Sequence, residues 1–134
     1  MKYKGKYIQD DGGRSKYFKG KTGDCVIRAC AIALNQDYKE TMKEMFDLGF
    51  KIGCLPNDHE VWKPYLISKG FVRHTTPKDK KGKKISIRNW SAECPSGSIV
   101  AHTRTHLVAV VDNVQRDTWL DERTVSSYYM KGVN

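Results

Sequence analysis

The spacing of apolar residues changes character once, at Gly70, and that change limits the folds open to this 134-residue chain. Between Cys25 and Lys69 apolar side chains recur every three to four positions, as in helices that bury one face. From Phe71 onward, short β-branched and aromatic runs alternate with turn residues, as in strands. Helices first and strands afterwards indicate an α+β domain, with N-terminal helices packed on a C-terminal antiparallel sheet. The length supports one domain over residues 1–134, with one modest core and no internal repeat.

The local signals place the elements. Asp24 precedes a helix from about Cys25 to Leu34, whose Val26, Ala29, Cys30 and Ala33 form one buried stripe. Asp37 caps a second helix, with Glu40 in the capping-box position, Gly49 as its stop, and Tyr38, Met42, Met45 and Phe46 as its apolar stripe. A third starts at Asn57 or Asp58, carries Val61, Trp62, Tyr65 and Leu66, is shortened or kinked by Pro64, and ends at Gly70. Strands are expected at 71–74, 84–87, 98–101, 107–111, 114–119 and 125–130, interrupted by a lysine-rich loop and by Pro95-Ser-Gly97. The arm of residues 1–21 reads as basic and mostly irregular, with a short strand around Lys6–Gln9.

Chemistry enters at Cys25. A thiol in the first turn of a helix lies at the positive end of the helix dipole, which favours thiolate. Its best base is His106, which opens the run His-Leu-Val-Ala-Val-Val before Asp112-Asn113. Asp112-Asn113 is a two-residue hairpin turn, because Asp and Asn tolerate the positive φ it requires. In that register Val108 opposes Asp117, so His106 and Asp117 share a face and sit diagonally, within hydrogen-bonding reach. A slip of one residue would separate them. Cysteine, histidine and carboxylate then stand as nucleophile, base and orienter. His59, His74 and His102 compete for the role of base; His102 lies on the same side of the chain as the hairpin but lacks a facing carboxylate, so His106 is preferred.

These residues resemble a papain-like cysteine peptidase: Gly23-x-Cys25 opening a helix, His106 before an apolar strand, and Asp117-x-Trp119 after the hairpin. More closely, Gly23–Ala29, Tyr65–Phe71, His106–Asp112 and Asp117–Trp119 are similar to stretches of small phage- and prophage-encoded proteins of papain-like type. The resemblance spans roughly residues 22 to 130. It implies a papain-like fold and a thiol hydrolase, a peptidase or isopeptidase, with the triad Cys25, His106 and Asp117 and a protein or peptide substrate. Papain-like enzymes also carry a Gln shortly before the cysteine. Here Lys19 and Lys21 stand there and Val26 replaces the usual aromatic after the cysteine, so Gln9, the only upstream Gln, is the candidate oxyanion donor beside the Cys25 amide. Asp24 is expected as the helix cap, worth about 1 kcal/mol, with its side chain turned from the thiol. Trp119 either shields the His106–Asp117 hydrogen bond or packs in the core.

The formal charge is +9, and it is unevenly placed: residues 1–21 carry seven Lys/Arg, and 73–88 carry seven more. The densest cluster, residues 78–84, is either a solvated loop or a weak footprint for nucleic acid or another polyanion. No recognition motif accompanies the cluster, so the solvated loop is the leading reading. The four cysteines lack Cys-x-x-Cys or tight Cys/His spacing, so no metal or other cofactor is expected. No stretch has the length and apolarity of a membrane span, and the N-terminus lacks an apolar leader, so a reducing cytoplasm is the expected setting. Three functional readings follow: a thiol peptidase, the same triad acting on non-peptide or peptidoglycan-type amides, and a catalytically silent binding module or inhibitor that docks a host partner through its basic surface.

Overall fold

The computed structural model describes residues 5–18 and 23–132; the expected positions of Lys19 and Lys21 and the extreme arm lie outside them. The order is β1 (Lys6–Gln9), a 3-10 turn (Arg14–Lys16), α1 (Cys25–Leu34), α2 (Tyr38–Ile52), α3 (His59–Ser68), β2 (Phe71–His74), α4 (Ile87–Glu93), β3 (Ser98–Thr103), β4 (His106–Val111), β5 (Val114–Asp117) and β6 (Ser127–Lys131). The domain class is mixed α+β. Its six strands form one sheet in the order β1-β5-β4-β3-β6-β2.

The sheet is mixed, which corrects the expectation of an antiparallel sheet built from the C-terminal half. The N-terminal β1 pairs parallel with β5, Tyr7 beside Gln115 and Gln9 beside Asp117, whereas the other neighbours are antiparallel. The outer edge of β5 offers unpaired backbone donors and acceptors, and β1 satisfies them.

Both sheet faces are covered. Side chains of β3 and β4 alternate between them, as the two-residue strand period requires. Val100, Leu107 and Ala109 pack with Val26, Cys30, Met45, Trp62 and Leu66 of α1 to α3. Ile99, Ala101, Val108 and Val110 pack instead against Ile87 and Trp90 of α4. This fourth helix replaces the strand expected at 84–87. Ser86 Oγ accepts the Asn89 N–H at 3.2 Å and caps it, and the alternation Ile85-Ser86-Ile87 ends where the helix begins.

Two details of α2 also differ from expectation. The helix passes through Gly49, where a Cβ would stand 2.4 Å from the Cys54 carbonyl oxygen, and it stops at Gly53, whose φ of 90° suits glycine. Its buried face is Tyr38, Thr41, Met45 and Gly49, so Phe46 lies 47% exposed beside the stripe. Asp37 and Asp58 cap α2 and α3 as expected, accepting the amides of Glu40 and Glu60. The helix α3 runs through Pro64. Among the described residues no helix is long and apolar enough to cross a membrane.

Candidate active site

The turn between β4 and β5 sets the site. Asp112 and Asn113 have φ of 49° and 68°, and Val111 opposes Val114, the register expected of a two-residue turn. Ala109 opposes Arg116, so the next pair in the ladder is Val108 and Asp117. His106 and Asp117 therefore meet diagonally, with Nε2 and Oδ2 2.6 Å apart and both residues buried. His102, by contrast, packs on Trp62 at a ring separation of 5.5 Å, and His59 is exposed between two carboxylates.

The first turn of α1 brings Cys25 to the start of β4. Burial raises the thiol's pKa, but hydrogen bonding to His106, the Leu107 amide and the nearby charges of His106 and Arg28 outweigh it, so the thiol is more acidic than usual. Burial disfavours the His106 imidazolium, yet its bonds to Asp117 and Cys25 raise its pKa to about 9. Each partner holds the other's charge. Both shifts run toward a thiolate–imidazolium pair.

Asp117 is held from three directions. Its Oδ1 accepts Thr118 N–H at 2.7 Å and Arg28 Nη2 at 3.1 Å, while its carbonyl accepts Tyr7 Oη and the Asp10 amide, each at 2.9 Å. Arg28 also pairs with Asp24, whose carboxylate takes Arg14 Nη1 at 2.8 Å and Tyr38 Oη at 2.7 Å. Asp24 thus occupies the N-cap position without capping: its carboxylate binds these side chains and accepts no backbone amide. Two guanidiniums and a phenol take its oxygens, and bonds from charged donors are stronger than those from amides.

An open cleft of about 570 Å³ exposes the pair, lined by Gln9, Arg14, Cys25, Arg28, His106 and Trp119 among others. Trp119 lies 43% exposed, its ring 4.8 Å from that of His106 with Arg123 over its other side at 5.2 Å, so it is a wall of the cleft and not core. Gln9 stands on β1 with its register partner Asp117 and reaches the same cleft. Cys30 is fully buried core, and burial drives its thiol pKa upward; burial also lifts Cys94 to about 11.

Sequence reasoning missed Arg28 and Arg14. Arg28 had a signal, since Asp24 and Arg28 stand at the i,i+4 spacing that pairs charges on a helix. Asp121 pairs with Arg123 at 3.2 Å, is wholly buried and also accepts Thr103 Oγ1. No group of three or more His, Cys, Asp or Glu among the described residues is arranged to hold a metal ion.

The chain matches no family model, and no curated protein or solved structure is significantly similar to it.

Proposed function

We propose that this protein is a papain-like thiol hydrolase, a peptidase or isopeptidase. The observation that carries the reading is the buried 2.6 Å His106–Asp117 contact beside a helix-start thiol of lowered pKa. The Cys25 thiolate attacks a carbonyl carbon, and the carbonyl π pair moves to oxygen. The Cys25 amide and Gln9 donate to that oxyanion. Collapse breaks the C–N bond as His106 gives its proton to the leaving nitrogen, leaving a thioester. Water then attacks the thioester, His106 takes its proton, and the acid departs with the thiolate restored. Asp117 keeps the imidazole oriented and stabilises its charge, and Trp119 keeps water from that bond.

The ordered lysine turn described below favours a second reading, a silent module that docks an anionic partner. Iodoacetamide separates the two. At neutral pH the active thiol should alkylate at Cys25 well before Cys30 and Cys94, whose burial raises their pKa. His106→Ala should slow that reaction, and Cys25→Ala should abolish turnover of a peptide-amide library while leaving the circular dichroism spectrum intact. Equal alkylation of all four cysteines would exclude the thiol hydrolase.

A further inference from the structure

Beside the cleft lies a second pocket of about 320 Å³ that shares none of its lining. Val26 and Leu107, the residues that follow Cys25 and His106, form its apolar inner wall with Trp62. All three are buried. The polar part of the pocket holds two cations, Lys63 and Arg104, with Asn57, Thr105, His59 and a His102 whose pKa burial lowers. The Lys63 ammonium stands 5.8 Å from the centre of the Trp62 ring, and His102 packs on the same indole.

The cations of the neighbouring cleft are already neutralised. Arg14 and Arg28 bind Asp24, and Arg28 also binds Asp117. Lys63 and Arg104 differ: neither forms an ion pair among the described residues. Asp58 and Glu60 flank the lining residue His59, at 3.6 and 3.4 Å from its ring nitrogens. Arg104 also holds a φ of 54° at the β3–β4 turn, a left-handed conformation that glycine would adopt more cheaply. The fold therefore keeps an arginine at the mouth where a smaller residue would fit better.

We propose that this pocket binds the side chain of an acidic residue, glutamate above all, on the acyl side of the scissile bond. The proposal rests on the reading of Cys25 as an acyl-transfer nucleophile. The leaving nitrogen must sit where His106 can protonate it, in the cleft walled by Trp119. The second pocket opens past Val26 and belongs to the other half of the substrate. Glutamate fits its chemistry: two methylenes lie against Val26, Leu107 and Trp62, and the carboxylate reaches Lys63 and Arg104. A partly desolvated carboxylate between two unpaired cations gains more than the same pair in water.

Matched peptidyl vinyl sulfones test this on the full chain. Acetyl-Xaa-Gly and acetyl-Gly-Xaa warheads are compared with Xaa as Glu, Gln or Lys, and the rate of Cys25 labelling is read by mass spectrometry. One Glu probe should react on the order of tenfold faster than its Gln twin, the Lys probe slowest, and the advantage should shrink in high salt. Lys63→Gln combined with Arg104→Gly should erase the preference, and Lys63→Glu should turn it toward the Lys probe. Equal rates for Glu and Gln at both positions, with iodoacetamide still selecting Cys25, would overturn the pocket assignment alone. Failure of iodoacetamide to select Cys25 would overturn the nucleophile and the pocket with it.

Discussion

Arg28 is the residue on which the charge balance of the site turns. It is 5% exposed, contacts Asp24 and Asp117 together, and lies one helical turn behind the nucleophile. Its positive charge helps to lower the Cys25 pKa, whereas Asp117 helps to raise that of His106. The two effects have opposite consequences on a pH profile. As pH falls, protonation of Cys25 ends activity, and as pH rises through about 9 the imidazolium is lost. Activity should therefore be bell-shaped, with its basic limb near pH 9. Asp117→Asn should move the basic limb down and reduce kcat/KM by roughly 10² to 10⁴-fold. Arg28→Met should instead move the acid limb up, and Arg28→Lys should restore part of it. An unmoved basic limb in Asp117→Asn would show that another group orients the histidine. The diagonal meeting of His106 and Asp117 was legible in the sequence because strand parity follows from turn length alone. The Arg28 contact to Asp117 was not, because it joins elements 89 positions apart.

The β4–β5 hairpin carries more than its register. Asn113 donates from Nδ2 to the Ser91 carbonyl at 3.1 Å and the Cys94 carbonyl at 2.7 Å, which fastens the end of α4 to the turn. Asn113→Gly keeps the positive φ but leaves those carbonyls short of a partner, at a cost of about 1–3 kcal/mol. Asn113→Ala adds the left-handed penalty, roughly 1–2 kcal/mol more. Denaturant unfolding should rank wild type above Gly above Ala, and identical midpoints for wild type and Gly would remove the fastening role. The helix so fastened escaped the sequence reading for a definable reason. Two β-branched residues around Ser86 mimic a strand start, yet Ile87, Trp90, Ser91 and Cys94 recur at helical spacing. Ser86, a good cap, decides between the two patterns. Helices α1 and α3 were legible nearly to the residue because the apolar stripe and the polar residue before it agreed, even though Asp24 marks the start of α1 without capping it. The glycine at 49 misled because its cause, the close approach of the Cys54 carbonyl, is tertiary.

At the scale of the whole molecule the +9 charge is partly organised. Around residue 79 the chain folds into a tight turn in which the Asp79 carboxylate accepts the Lys81 and Lys83 amides at 2.9 Å and Lys78 bridges to Lys84. The turn presents its lysines together instead of scattering them. Binding to unrelated DNA duplexes should be weak and fall steeply with salt, and replacing Lys80, Lys81 and Lys83 by Gln should flatten the salt slope by up to about three. A salt-independent, sequence-selective complex would contradict this. The parallel pairing of β1 with β5 has a consequence of another kind, in the order of synthesis. Tyr7 and Asp117 are 110 positions apart, so β1 must wait for β5 to be made. A chain leaving the ribosome carries its nucleophile long before its base and orienter, and the contacts that join them are slow, long-range ones. Until His106 and Asp117 have been made, the thiol has no partner to arm it. Trimming the chain past Gln9 would withdraw the Tyr7 phenol and the β1 ladder from Asp117 and loosen the orienter in the finished protein.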